Sequence, residues 1–136
     1  MNNPDTISRV WAREILNFRG DPTIEAEVFL ADGSYGRGAV PAGISAGINE
    51  VGQLLDGNPK RLAGKGVLKA VRNVREIIGP ALKGMRASQL EMIDQKLLEL
   101  DGTPNKSRLG GNATLAVSLA KLKRPPLVRN CLCINT

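Results

Sequence analysis

The chain has 136 residues, enough for one domain, with 42% hydrophobic and only 3% aromatic residues, so a core must be built from Leu, Ile, Val and Ala. No run approaches the roughly 18 apolar residues of a membrane span, and no basic-then-apolar leader opens the chain, so a soluble, cytoplasmic protein is expected. The formal charge is +6, but Lys121, Lys123, Arg124 and Arg129 stand in a tail without acids, and setting those four aside from 19 bases leaves 15 against 13 acids. A body this close to neutral argues against nucleic-acid binding by the folded part.

In chain order, Ile7 to Leu16 reads as a first strand carrying Trp11. Asn17 to Asp21 turns the chain, and Pro22 suits a strand start. In the second strand, running to about Ala31, Thr23, Glu25, Glu27 and Phe29 alternate with Ile24, Ala26, Val28 and Leu30, the period of a half-buried strand. Asp32-Gly33 signals a hairpin, because glycine accepts the positive φ of a tight turn. A third strand covers about Tyr35 to Val40. After the glycine-bracketed loop Pro41 to Gly47 the period becomes helical. Ile48, Val51, Leu54 and Leu55 predict a short helix ending near Asp56-Gly57-Asn58-Pro59. Val67, Leu68, Val71, Val74, Ile77 and Ile78 predict a second helix, with Gly79-Pro80 as a stop or break.

Ser88 with Glu91 is a capping-box signal for a third helix, whose expected buried stripe is Leu90, Ile93, Leu97, Leu98 and Leu100. Asn112 is placed to cap a fourth helix over 113–120, rich in small apolar residues. Strands followed by helices give an α+β fold, a three-stranded antiparallel meander covered by three to four helices. Lys-Arg-Pro-Pro at 123–126 breaks any helix leaving Ala120. The expected organisation is a domain over 1–121 and a disordered tail over 122–136.

Arg19-Gly20-x-Pro22-Thr23-x-Glu25-x-Glu27, the Val40-Pro41-x-Gly43-x-Ser45-x-Gly47 loop, Gly64-Lys65-Gly66-Val67, and Leu100-Asp101-Gly102-Thr103-Pro104-Asn105-Lys106-Ser107 together resemble the N-terminal domain of enolase over roughly residues 6–121. The resemblance implies the same α+β arrangement and a family reaction, 2-phosphoglycerate to phosphoenolpyruvate plus water, that is part of glycolysis and depends on magnesium. It implies that the base and metal carboxylates lie in a C-terminal barrel, which these 136 residues do not include. It implies that Ala42, Gly43, Ile44, Ser45, Ala46 and Gly47 form the loop over the substrate. Ala42 takes the position of a serine that ligates magnesium, so that side-chain ligand is lost, and Ile44 and Ala46 also depart from the family pattern. Asn17-Phe18-Arg19-Gly20 stands where the family has Asp-Ser-Arg-Gly. Arg13, Arg19 and Glu25 are implied to meet a partner subunit, as a homodimer or with a full-length enolase. Without a barrel, one apolar side of such a domain loses its cover and favours self-association.

The tail invites a reading at the nucleotide level. Codons for Lys121 to Pro126 can be chosen so that one restored nucleotide gives an alanine-rich, family-like run. The codons of Cys131 to Thr136, shifted back likewise, can give Pro-Leu-Tyr. A frameshift near residue 121 is therefore expected.

Other chemistry finds little support. Glu25 and Glu27 share a strand face and could pair for acid-base work, although a solvated or interface face is the simpler expectation. Gly64-Lys65-Gly66 lacks the full phosphate-loop spacing and fits close chain approach before a helix. No His is present, so His-dependent nucleophilic sites are excluded. Cys131 and Cys133 alone cannot complete a structural zinc site. The leading expectation is an enolase-type N-terminal domain, inactive alone. A non-catalytic dimerisation or scaffold module is the alternative, and a basic-tailed nucleic-acid binder a third.

Overall fold

The computed structural model describes residues 3–40 and 52–122. The loop 42–47, Ile48, Val51, the Lys-Arg-Pro-Pro break, both cysteines and all but the first residue of the expected tail lie outside them. β1 (Ile7–Leu16), β2 (Pro22–Leu30) and β3 (Tyr35–Ala39) form an antiparallel sheet in the order β1-β2-β3, as the alternation predicts. Successive side chains point to opposite faces. Val10, Ala12, Ile24, Ala26, Val28 and Leu30 are buried on one face. Trp11, Arg13, Glu25, Glu27, Phe29, Tyr35 and Arg37 share the other, as the strand register dictates.

Asn17 closes the first turn. Its Oδ1 accepts from the N–H of Arg19 and of Asp21 at 2.9 and 3.0 Å, and Gly20 takes φ +77. In the second turn Gly33 takes φ +84, and Asp32 Oδ1 accepts from the Ser34 N–H at 2.9 Å.

α1 (Leu68–Asn73), a π-helical turn (Val74–Ile78) and α2 (Gly79–Leu82) follow as one continuous helical run. The expected break at Gly79-Pro80 does not occur. In a regular helix the proline ring clashes with the carbonyl four residues back, and the wider π turn immediately before Pro80 relieves that crowding. Val67, Val71, Val74 and Ile78 are buried as expected, whereas Leu68 and Ile77 are exposed. Arg75 reaches over β1, where its Nε donates to the Ala12 carbonyl at 2.8 Å. At the start of β1, Met85 O accepts from the Ile7 N–H and Ile7 O from the Gly84 N–H, at 2.8 and 2.9 Å. An edge strand that offers free backbone groups is thereby covered.

α3 (Leu90–Asp101) begins after Ser88, and no capping box forms. The Ser88 N–H donates to Asp5 Oδ2 at 2.9 Å, which fixes Ser88 outside the helix. Ile93 and Leu97 are buried, but Leu90 and Leu98 are exposed, so the stripe is narrower than expected. α4 (Gly111–Leu122) lays Ala113, Ala116, Val117 and Ala120 fully buried against the sheet. Small side chains bring its backbone very close. A Cβ placed on Gly38 of β3 would lie 2.6 Å from Ala120 N and 2.9 Å from Ala116 O.

Leu54 and Leu55 are not helical. The Leu54 N–H donates to Asn112 Oδ1 at 3.0 Å, and its carbonyl accepts from Asn112 Nδ2 at 3.3 Å. The Asp56 N–H goes to Gly66 O at 2.8 Å. With these backbone groups committed to distant partners, Leu54 cannot take part in a helical ladder; Ile48 and Val51 lie outside the described residues.

Candidate functional site

The expected substrate loop, residues 42–47, lies outside the described residues, but the residues on either side of segment 41–51 are described. Val40, the last residue before the segment 41–51, is held from both sides. Its N–H donates to Ile24 O at 3.1 Å, and its carbonyl accepts from Thr23 Oγ1 at 2.8 Å. Beyond that segment, Gly52 O accepts from the Gly111 N–H at 3.0 Å, and Asn112 grips Leu54 on both backbone groups. Both roots of the expected substrate loop are therefore clamped to the core. A cleft of about 180 Å³ is lined by Thr23 and Gln53, next to these clamps, with Asn17, Asp21, Leu55 and Lys65 among others.

Lys65 reaches this cleft on a loop closed by the Asp56–Gly66 bond and by the Gly57 N–H donating to Gly64 O at 3.0 Å. The loop is anchored by Glu14. Its carboxylate accepts from the Val67 N–H at 2.8 Å and pairs with both terminal nitrogens of Arg61. The Arg61 bond holds the Glu14 carboxyl below the usual range, against the upward push of burial. Asp56 accepts the first N–H groups of α1, from Leu68 at 2.9 Å and Lys69 at 2.8 Å. That is a helix cap supplied from a distance.

Gly66 sits where these groups meet. An added Cβ would fall 2.5 Å from Arg61 Nη1 and 2.7 Å from Asp56 Oδ2, so the Gly64-Lys65-Gly66 motif serves close approach, as expected. Both of those atoms end side chains, although Asp56 Oδ2 is also tied to the Leu68 N–H. Gly66→Ala is therefore expected to displace the Arg61 pair rather than the backbone and to cost about 1 kcal/mol, read from the urea midpoint. A loss several times larger would show that the loop cannot yield.

On the outer sheet face, Arg13 opposes Glu25 in register, and Glu27 opposes Arg37. Glu27 is buried. It pairs with Arg13 Nη2 and accepts from Arg37 Nε at 3.1 Å. Glu25 lies 3.8 Å from Arg13 Nε and 3.6 Å from Arg37 Nε. The two glutamates are thus ion-pair partners and not an acid-base couple. Arg37, which sequence reasoning missed, could have been placed by counting back across the Asp32-Gly33 hairpin. Arg19 is exposed on the β1–β2 turn, away from this array.

The longest motif proves structural. Asp101, 1% exposed, bonds the Thr103 hydroxyl and accepts the N–H of Thr103 at 3.1 Å and of Leu109 at 2.8 Å. Gly102 ends α3 in the left-handed region at φ +70, a common helix stop.

Among the described residues, no group of three or more His, Cys, Asp or Glu side chains could hold a metal ion. The carboxylates of Glu14, Glu25, Glu27, Asp56 and Asp101 already serve arginines or backbone donors. This donor set does not fit magnesium. No described helix is long and apolar enough to cross a membrane.

The family model described as "Enolase, N-terminal domain" matches residues 7–125. The chain belongs to the enolase family, through its N-terminal domain. In this enolase domain the turn at 17–20 is closed by Asn17, whose one amide oxygen receives both N–H groups.

Proposed function

We propose that this enolase N-terminal domain supplies the substrate-covering loop and a subunit-contact face to an enolase-type site, and performs no chemistry by itself. Membership of the family over residues 7–125 carries this reading, and the double clamp on the roots of segment 41–51 supports it. Residues 42–47 then close over the substrate, and Arg13, Arg19 and Glu25 face a second subunit, in a cytoplasmic enzyme of glycolysis. The family reaction removes a proton α to a carboxylate and expels hydroxide, with magnesium stabilising the ene-diolate. The carboxylates of Glu14, Glu25, Glu27, Asp56 and Asp101 are engaged elsewhere, and Ala42 has no hydroxyl to offer, so the chain alone is expected to bind no catalytic magnesium.

The purified chain, given 2-phosphoglycerate and magnesium, is expected to form no phosphoenolpyruvate by absorbance. Turnover in a preparation free of host enolase would overturn the dependence on a barrel. Grafted in place of the N-terminal domain of an active enolase, the chain is expected to give activity, raised on the order of tenfold by Ala42→Ser through the restored ligand. A folded graft inactive with either residue at that position rules out the loop assignment.

A further inference from the structure

Pro22-Thr23, at the start of β2, belongs to the first of the motifs that carry the family resemblance, and its place in the sheet gives both residues a task. Ile24 turns its carbonyl toward β3, where it accepts from the Val40 N–H at 3.1 Å. Backbone groups two residues apart on a strand face the same neighbour, so Pro22 turns to that side as well. Proline has no N–H, and β2 has no further donor to offer on that side beyond Val40. The Val40 carbonyl instead accepts from a side chain, the Thr23 hydroxyl, at 2.8 Å. Thr23 is 8% exposed, so this bond is shielded from competing water. The Val40 N–H lies in the peptide plane before the residue and its carbonyl in the plane after it. The strand bond therefore fixes the first plane, and Thr23 fixes the second. Segment 41–51 starts at the next residue.

We infer that Thr23 is a positioning residue for the enolase reaction, its hydroxyl setting the ψ of Val40 and with it the direction in which the chain leaves β3 for the substrate-covering loop. The inference rests on the function proposed above and goes further, because it assigns the aim of that loop to one buried hydroxyl. The far root has its own holders, Gly111 and Asn112 at the start of α4, so losing the Thr23 bond frees the β3 side alone. A misdirected loop costs rate because catalysis depends on bound groups being held in the reactive geometry. Thr23 acts through Val40 and touches no reacting atom in this reading.

Amide hydrogen exchange in the full chain tests the bond without any activity. Thr23→Val keeps the side-chain shape and removes the donor. It is expected to speed exchange of the Val40 amide on the order of tenfold, with the Val28 amide in the middle of β2 unchanged. Thr23→Ser keeps the hydroxyl and is expected to restore slow exchange at Val40. Kinetics test the role. In the Ala42→Ser graft, Thr23→Val is expected to lower kcat/KM for 2-phosphoglycerate on the order of tenfold at a temperature where the enzyme stays folded, and Thr23→Ser to restore it. A purely structural threonine would lower the urea midpoint and leave kcat/KM of the folded graft unchanged. That result in an active graft overturns the inference alone, as does a Val40 amide that exchanges equally in Thr23→Val and in the native chain. A folded graft that is inactive with native Thr23 overturns the proposed function, and the inference with it.

Discussion

Gly38→Ala is expected to be among the most damaging single-methyl additions in the chain. The added Cβ would meet Ala120 N at 2.6 Å, Leu119 Cβ at 2.7 Å and Ala116 O at 2.9 Å. Two of these are backbone atoms of α4, and none can swing aside as Arg61 can at Gly66. Relief requires lifting the helix from β3, and with it Ala113, Ala116, Val117 and Ala120, all fully buried. Overpacking of this kind costs about 1–3 kcal/mol, and the rigid neighbours place Gly38→Ala at about 3 kcal/mol. Gly38→Val is expected to prevent folding altogether. Gly52→Ala is the control, since nothing lies within 4 Å of that position, and it should change stability by under about 0.5 kcal/mol. Urea unfolding followed by circular dichroism makes the comparison. A Gly38→Ala midpoint equal to that of Gly52→Ala would mean that α4 does not seat on β3 as described.

The strands were legible because period two runs unbroken through Thr23 to Leu30, and both turns carry residues whose chemistry closes them. The helical run from Leu68 was legible in its spacing but not in its length. Gly79-Pro80 stops a regular helix, and nothing in the local sequence announces the π turn that lets the chain pass. The helix expected through Leu54 and Leu55 failed for a non-local reason. Their apolar spacing is helical, but Asn112, far along the chain, takes both backbone groups of Leu54. Ser88 failed as a cap in the same way, through Asp5. The loop over 42–47 and the subunit contacts of Arg13, Arg19 and Glu25 are expectations of the family resemblance alone. The Glu14–Arg61 anchor and the four-residue ion-pair array needed the fold, because each joins segments whose alignment local pattern does not specify. The gathering of arginines and aromatics on the outer sheet face was hidden for the same reason. Charge counting sums over the chain, whereas two strand registers bring Arg9, Trp11, Phe29 and Tyr35 onto one face.

Asp101→Ala is expected to cost about 3 kcal/mol or more, a fall in Tm on the order of 10 °C. Burial alone would push this carboxyl up, but the Thr103 hydroxyl and the N–H groups of Leu109 and Thr103 outweigh it and hold the pKa below its ordinary value of 3.8. A hydrogen bond to a charged acceptor contributes about 1.5–3 kcal/mol, and removing the carboxylate also leaves the buried Leu109 N–H without a partner. Thr103→Val deletes one donor and is expected to cost about 1–2 kcal/mol. The direction of the shift fixes the pH dependence. Because the folded pKa is depressed, the carboxylate's contribution is fully present above the unfolded value near 3.8 and is lost as pH falls through the folded value. The gap in unfolding free energy between the native chain and Asp101→Asn is therefore expected to be constant from about pH 7 to pH 5 and to shrink below about pH 4. Urea titrations across that range measure it. A gap that stays constant down to pH 3 would show that the 101–109 loop is held by its backbone geometry and not by the charge on Asp101.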